Sequence, residues 1–415
     1  MIKRIKEIKM KNIIFWIGIL PALLFMSFME QPNAEQIINM SLSKCQSIEN
    51  GYYEMEHHMK YMSEKDTSSK TFKCHFKKLN NDSLYPAAFH YKTFYGDGYK
   101  SDIMYTGDEF VSFSTNDSSG IIMPKTQWAK EIQTYRHNRT FYSPIIDKDC
   151  DPLPSESAIL DKKMTFTYIG EAQINNQPCY HIRNSVPPEN DSTSAMKTLS
   201  TEINYWINKK DSIPVQYSIE IKMVMDNDTM MQFEKKVLKK YEFNNLKQEN
   251  QLTLSSVPTY VKLKDYEPYT PPKLLASNTA APNWSLISLE NKTVQLSDFE
   301  GELVLIDFFF KSCYPCMLAL PGLQKLHEKY KDKGLNVIGI DPFDSIEKDD
   351  IANFLKKRGV TYTILLGGND VANTYNVSGY PTIYLIDKKG KIIATTPGYR
   401  ENMEDRLEEI ILEYL

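Results

Sequence analysis

The sequence predicts two folded units of different class: a mostly antiparallel β domain over residues 30–265 and an α/β domain over residues 281–415. Three observations predict this division. The 415 residues are too many for one ordinary hydrophobic core. The first unit has short runs of β-branched and aromatic residues between polar turns, whereas the second alternates buried-type strands with helical stretches. Between the two units lies a proline-rich segment.

The chain opens with a basic segment followed by an apolar one. Five basic residues come first: Lys3, Arg4, Lys6, Lys9 and Lys11. An uncharged run from Ile13 to Met29 follows, and this order is typical of a signal peptide or signal anchor. We therefore expect residues 1–29 to direct export. The rest of the chain is then extracytoplasmic, in the periplasm, either soluble after cleavage or tethered to the membrane.

The first domain shows the pattern of half-buried strands. Val215 to Met223 alternates apolar and polar residues with period two, which predicts a strand with one buried and one solvated face. Runs such as Met164 to Ile169 are rich in β-branched and aromatic residues, and turns such as Asn175-Asn176 separate them. Clustered prolines then predict an extended linker over residues 266–280.

The second domain begins with a buried-type strand. Leu303 to Phe310 is apolar throughout except for Asp307, which predicts a central strand. The remaining elements are expected in this order: a helix from Met317 to Lys331, a strand from Leu335 to Ile340, a helix from Ile351 to Lys357, a strand from Thr363 to Leu366, a hairpin with strands Thr382 to Ile386 and Lys391 to Thr395, and a helix from Met403 to Tyr414.

A close cysteine pair, Cys313 and Cys316, lies between that strand and the following helix. The unpaired amides and the dipole of a helix N-terminus stabilise a thiolate and lower its pKa. Cys313 is therefore the predicted nucleophile, and Cys316, one turn inside the helix, would resolve the mixed disulfide. Tyr314 and Pro315 lie between them and are expected to contact substrate; a proline in the first turn loses no helical hydrogen bond.

The spacing of Cys313 and Cys316 is also that of half a zinc site. A zinc site would need further ligands nearby, but His327 is the only histidine in this domain, so we expect no metal and no other cofactor. Four solitary cysteines lie in the first domain: Cys45, Cys74, Cys150 and Cys179. Bridges between Cys45 and Cys74, or between Cys150 and Cys179, are among the pairings that the sequence allows.

Asp307 is an acidic residue inside the apolar strand that precedes the cysteine pair. Burial of a carboxylate is costly, so its pKa is expected to be raised, as is common for functional groups. We predict that Asp307 is the general base for Cys316. The alternative is that its side chain only forms hydrogen bonds at the strand edge.

Gly379-Tyr380-Pro381-Thr382 stands directly before an apolar strand. Together with the cysteine pair, this segment resembles the thioredoxin superfamily, whose matching proline is cis and packs beside the redox pair. The resemblance implies that Pro381 is this proline and that the backbone of Tyr380 binds an extended substrate segment. A plain turn proline is the alternative. The resemblance also places Asp307 where thioredoxins hold a buried carboxylate that exchanges a proton with the second cysteine.

Three further segments indicate a particular group within the thioredoxin superfamily: Ala281 to Trp284, Val294 to Gly301 and Val377 to Asp387. They are similar to the exported TlpA-like reductases and their peroxiredoxin-related neighbours, over roughly residues 276–415. Two positions depart from the pattern. Ser312 replaces the usual tryptophan before the first cysteine, and Ala319 replaces an acid found in many of these proteins. Asp307 is thus left as the only candidate base.

These features predict an extracytoplasmic thiol-disulfide oxidoreductase that acts on the thiols or disulfides of exported proteins. Tyr314 and Pro315 bring no positive charge to the cysteines, which favours a reductant or isomerase, supplied with electrons by a membrane donor, over an oxidant. A thiol peroxidase is the alternative enzyme. Peroxiredoxins, however, place serine or threonine where this chain has Phe310, and a phenyl ring cannot donate the hydrogen bond that holds the peroxide.

The first domain offers a non-enzymatic alternative. The segment from Tyr205 to Val215 resembles a strand-turn-strand of exported LolA-like lipoprotein-binding domains, which are curved antiparallel sheets. The resemblance implies that this domain binds an apolar or protein ligand that the redox domain serves. Nucleic acid is not an expected partner, because the formal net charge of -4 gives no concentrated basic face.

Overall fold

The computed structural model describes residues 33–62, 64, 66–96, 98–131, 141–146, 152–154, 164–186, 196–225, 228–245 and 249–415. The predicted export segment at residues 1–29 and Cys150 lie outside these residues. Within the described ranges, no helix is both long and apolar enough to cross a membrane.

The described strands form two sheets, and the first belongs to the N-terminal part of the chain. Its strands are β1 (Asn50–Lys60), β2 (Ser68–Lys78), β3 (Ala87–Tyr95), β4 (Gly98–Tyr105), β5 (Glu109–Ser114), β6 (Ser119–Pro124), β7 (Thr165–Ile174), β8 (Gln177–Val186), β9 (Met196–Asn208), β10 (Pro214–Met225), β11 (Asp228–Phe243) and β12 (Lys262–Asp265). They lie in the order β12-β6-β5-β4-β3-β2-β1-β11-β10-β9-β8-β7. Only β12 runs parallel to its described neighbour, β6. The prediction of a mostly antiparallel β region is confirmed.

One face of this sheet is covered by helical segments: α1 (Ala34–Gln46), α2 (Lys125–Glu131) and α3 (Ser143–Ile146). Side chains along β1 alternate between buried and half-buried, as expected when one face of a sheet packs on a core. Helix α1 contributes Ile38 and Leu42 to that core. Phe141 packs its ring 4.6 Å from the ring of Phe89. The apolar interior of this domain therefore lies between the sheet and these segments.

The described cysteines of this domain, Cys45, Cys74 and Cys179, are buried in the same core. Cys74 and Cys179 hold free thiols, so the suggested bridges of Cys74 with Cys45 and of Cys179 with Cys150 are wrong. The register explains the first case, because Cys74 lies between Tyr53 on β1 and Tyr91 on β3. Its thiol donates instead to the carbonyl oxygen of His75 at 3.5 Å.

The second sheet contains seven strands: β13 (Ser285–Ser288), β14 (Thr293–Gln295), β15 (Leu303–Phe308), β16 (Leu335–Asp341), β17 (Thr363–Leu366), β18 (Thr382–Ile386) and β19 (Ile392–Pro397). They lie in the order β14-β13-β17-β16-β15-β18-β19. The helices are α4 (Tyr314–Tyr330), α5 (Ile346–Asp349), α6 (Ile351–Lys357), α7 (Asn369–Thr374) and α8 (Met403–Tyr414). Strand β15 is parallel to β16 and antiparallel to β18.

Two apolar cores, one on each face, enclose the central strand β15. One contains Leu305 with residues of α4, α6 and α8, and the other contains Ile306 with Ala372 of α7. All six residues of β15 are buried, which is why every residue of that strand except Asp307 is apolar. The predicted α/β class of the C-terminal region is confirmed.

The proline-rich segment between the sheets carries no helix or strand from Tyr266 to Thr279. The Tyr266 amide donates to the carbonyl of Ile122 at 3.0 Å, and the Asn278 amide donates to the carbonyl of Ile392 at 2.7 Å. Each end of the segment is therefore attached to one of the two sheets.

Candidate active site

The cysteine pair occupies the N-terminus of helix α4. Cys313 is the N-cap residue, and its sulfur accepts a hydrogen bond from the Cys316 amide at 3.2 Å. The two sulfurs form a disulfide, with Cα atoms 5.2 Å apart. Pro315 lies in the first turn, where its missing amide has no intrahelical partner to lose. In the reduced protein, the free amides of this turn would face the Cys313 thiolate and stabilise it.

The two cysteines differ in access to solvent. Cys313 is 6% exposed and Cys316 is 1% exposed. Pro315, between them, is exposed, and Tyr314 is half-buried. An incoming sulfur can therefore reach Cys313 more readily than Cys316.

Asp307 lies on β15, the strand that leads into the cysteine pair, and is completely buried. Neither carboxylate oxygen has a hydrogen-bond partner among the described residues. Burial raises the pKa of Asp307 to about 7. A carboxyl group of this kind can take up and release a proton near neutral pH.

Tyr362 is a second buried polar group near Asp307, and the sequence did not single it out. Burial, and then the neighbouring Asp307 carboxyl, raise the pKa of Tyr362 well above its ordinary value. Its hydroxyl also has no partner within the described part of the chain. No sequence signal could have found it, since a tyrosine at the start of a strand has the pattern of an ordinary core residue.

Pro381 follows a cis peptide bond with Tyr380, at the start of β18. The Thr382 hydroxyl donates to the carbonyl of Gly379 at 2.7 Å, and the Gly398 amide donates to the carbonyl of Pro381 at 2.8 Å. Tyr380 is packed against the same apolar core as both cysteines. The proline loop and the cysteine pair thus share one end of the sheet.

Two carboxylates that the sequence analysis missed anchor a neighbouring loop. Asp341, at the end of β16, is completely buried, and its Oδ1 accepts the amides of Phe343 at 2.9 Å and Asp344 at 3.0 Å. Burial, followed by the Asp344 carboxylate, raises the pKa of Asp341 to about 8. Asp344 in turn accepts the Lys311 amide at 2.6 Å, which ties this loop to the cysteine loop. An acid at the end of a buried strand was the available signal.

The redox helix α4 is linked to the N-terminal sheet through Arg358. Arg358, just after α6, is buried with its Nη2 3.6 Å from the sulfur of Met317 and 3.7 Å from that of Met230 on β11. Asp228 on β11 lies 3.0 Å from the Lys357 amine. Met230 also belongs to the apolar core that contains both cysteines. The hairpin of β10 and β11 therefore packs beside the redox helix.

The region that contains the cysteine pair and the cis-proline loop is similar to known proteins. The AhpC/TSA family model matches residues 278–395. Thiol-disulfide oxidoreductase ResA of Bacillus thuringiensis is 36% identical over 134 residues, which cover 32% of this chain and 74% of that protein. Thioredoxin-like protein YneN of Bacillus subtilis is 34% identical over 132 residues, covering 31% of this chain and 76% of that protein. The solved thioredoxin domain of a Bacteroides vulgatus thiol-disulfide oxidoreductase is 29% identical, covers 33% of this chain and 99% of its own, and has a TM-score of 0.30.

The fold and the cysteine pair define a thioredoxin-like enzyme of the oxidoreductase class. Through residues 278–395 the chain belongs to the AhpC/TSA family, with the ResA thiol-disulfide oxidoreductases as relatives.

Proposed function

We propose that this protein is an extracytoplasmic thiol-disulfide oxidoreductase that reduces or isomerises disulfides in exported proteins through Cys313 and Cys316. The observation that carries the proposal is the position of Cys313 as N-cap of α4, more exposed than its partner. A helix N-terminus favours the thiolate, and the thiolate is the species that attacks a disulfide. The division into residues 30–265, linker 266–280 and redox domain 281–415 is part of the same proposal.

The exchange proceeds in two balanced steps. The Cys313 thiolate attacks one sulfur of a substrate disulfide; that bond breaks, and the other substrate sulfur leaves as a thiolate, which takes up a proton. The Cys316 thiolate then attacks the Cys313 sulfur, so the mixed disulfide breaks and the second substrate thiol is released. Two electrons have moved to the substrate. The enzyme is left with the Cys313–Cys316 disulfide that the structure contains.

We assign Asp307 as the base that removes the proton of Cys316 before the second step. Its pKa of about 7, raised by burial, keeps part of the population ionised at neutral pH and ready to accept that proton. Pro381 and Tyr380 form the neighbouring wall, where the Tyr380 backbone would bind an extended substrate segment. Tyr314 and Pro315 would contact the substrate from the helix side.

The direction of electron flow is proposed from the residues between the cysteines. Tyr314 and Pro315 add no positive charge, so the thiolate is not stabilised as strongly as in an oxidant, and the disulfide form is correspondingly favoured. A reductant must be re-reduced after each turnover, and for an exported enzyme the donor is a membrane protein. The five basic residues and the apolar run at residues 1–29 support this location, although they lie outside the described residues.

Neither alternative function gains support from an observation of this structure. Phe310 packs its ring against other aromatic rings and has no group that could hold a peroxide by a hydrogen bond. In the N-terminal domain, the described core is filled by side chains of α1 and of the segment Phe141 to Ile146, so we do not propose an apolar ligand there.

The test is capture of substrates by the full chain carrying Cys316→Ala. This variant retains the attacking cysteine and lacks the resolving one, so mixed disulfides with exported proteins should accumulate and be separable on non-reducing gels. Cys74→Ala, which removes a buried thiol in the other domain, is the matched control and should trap none. The proposal is wrong if the Cys316 variant captures nothing and the unmodified protein, given dithiothreitol, does not accelerate the reduction of insulin.

A further inference from the structure

Three aromatic rings form a cluster beside the proline loop. The ring centroids of Phe310, Phe343 and Tyr380 are each 5.4 Å from the other two. Phe343 is 57% exposed, and Ile346, the first residue of α5, is 50% exposed. Large apolar side chains with this much exposure, grouped on one surface, are typical of a recognition site.

The ring cluster is continuous with the redox centre. The Phe310 carbonyl accepts the Cys313 amide at 3.1 Å, and Tyr380 directly precedes Pro381. A substrate sulfur bonded to Cys313 brings its flanking residues to this same surface. The segment that would contact these three rings is therefore part of the disulfide substrate itself.

We propose that Phe310, Phe343 and Tyr380 bind a bulky apolar side chain that flanks the reacting cysteine of an extended substrate segment. This inference rests on the proposed function and adds the substrate class to it. Side chains of an extended chain alternate in direction at roughly 3.3 Å per residue, so a side chain one or two positions from the cysteine lies within reach of rings spaced like these. Segments with an aromatic or large aliphatic residue at that position are the preferred substrates.

The loop that presents Phe343 is held in place before any substrate binds. Buried Asp341 accepts the Phe343 and Asp344 amides, and Asp344 accepts the Lys311 amide. The Lys311 amine is also engaged, since it donates to the carbonyl of Asp349. Because the loop is already ordered, little conformational entropy is lost on binding, which increases affinity.

The experiment compares two synthetic peptides, each with one disulfide, that differ only beside one cysteine, where one has phenylalanine and the other serine. The reduced full-length protein should react about three- to tenfold faster with the phenylalanine peptide, as expected for one added aromatic contact. Phe343→Ser should bring the ratio of the two rates close to one. Phe343→Leu should restore part of it. Leu412→Ser, an exposed apolar residue on α8, is the matched control and should keep the full ratio.

Two outcomes separate this inference from the proposed function. If the unmodified protein reduces both peptides at equal rates, or if Phe343→Ser keeps the preference, the apolar site is refuted and the oxidoreductase stands. If the unmodified protein reacts with neither peptide nor with glutathione disulfide, the proposed function fails, and the apolar site fails with it.

Discussion

The guanidinium of Arg358 lies 3.6 Å from the sulfur of Met317, the residue that follows Cys316 in the redox helix. The same guanidinium lies 3.6 Å from the carboxylate of Asp228, on a strand of the N-terminal sheet. One buried side chain therefore contacts both the redox helix and the other domain.

Asp228→Asn should weaken this domain contact, because it removes the negative charge that faces Arg358 and Lys357. We expect the free energy difference that favours the closed contact over the open one to fall by about 1–3 kcal/mol. Hydrogen exchange of the α6 amides should accelerate accordingly. The control is Glu404→Gln, which removes the partner of the exposed Lys325 and should change stability by less than about 0.5 kcal/mol. Unchanged protection of α6 in Asp228→Asn would contradict the role of the contact.

Asp307→Asn should slow disulfide exchange and stabilise the protein at neutral pH. The folded carboxyl has a pKa of about 7 and the unfolded one about 3.8, so the folded state retains a proton that the unfolded state has lost. Stability of the unmodified protein should therefore fall as the pH rises from about 4 to 7, by roughly 2–4 kcal/mol in total. Urea unfolding should show this fall, and the Asn variant should lack it.

The rate effect of the same variant follows from the loss of the base. We expect turnover of insulin to fall by roughly 100-fold, and its rise with pH near 7 to disappear. Asp405→Asn, at an exposed position of α8, should leave both the rate and the pH profile unchanged. A variant with the normal pH profile would show that Asp307 is only a structural residue.

Glu234→Gln should produce the opposite pH dependence in the N-terminal sheet. Burial alone would raise the pKa of Glu234, but the His57 ring at 3.0 Å and the Lys236 amine at 3.2 Å lower it to about 2. The ionised group stabilises the fold above pH 4.5, and this contribution is lost as the pH falls towards 2. The variant should lose roughly 2–3 kcal/mol at pH 7 and little at pH 2. Glu220→Gln, on β10, is the control, and a pH-independent loss in Glu234→Gln would count against this account.

Gly339→Ala should destabilise the redox domain by overpacking. A Cβ atom on Gly339 would lie 2.6 Å from Ile364 Cδ1 and 2.8 Å from Phe309 Cε1. We expect a cost of about 1–3 kcal/mol, measured by urea unfolding. Gly379→Ala is the control, because a Cβ there meets nothing within 4 Å. Equal stability of the two variants would contradict this prediction and show that the core beside Asp307 can rearrange to hold the added methyl group.

The redox domain could be predicted well because its local signals agree with one another. Ile351–Lys357, Thr363–Leu366, Thr382–Ile386 and Met403–Tyr414 have the predicted bounds, and the strand predicted from Leu303 to Phe310 ends at Phe308. Long apolar runs bounded by turns identify such elements without knowledge of their neighbours. Asn175 and Asn176, both in the left-handed region, likewise form the predicted turn between β7 and β8.

Contacts between distant parts of the chain could not be predicted. Nothing in the sequence brings Asp228 to Arg358, Tyr362 to Asp307, or Phe343 to Phe310, because each pair meets only after the sheets have formed. The cysteine pairings were wrong for the same reason. Strand register places Cys74 opposite Tyr53 and Tyr91 rather than beside Cys45, and spacing along the chain carries no information about register.

The segment from Tyr266 to Thr279, which carries no helix or strand, also limits how far the two sheets can separate. Residues 266–280, fully extended, would span roughly 50 Å, so the two domains remain within that distance even when their contact opens. Confinement by a short tether corresponds to an effective concentration on the order of 1 mM. At that concentration, a contact with a Kd of about 0.1 mM between separate molecules would be closed about 90% of the time. The small surface around Arg358 can thus hold the redox centre beside the N-terminal sheet without being strong enough to join two separate proteins.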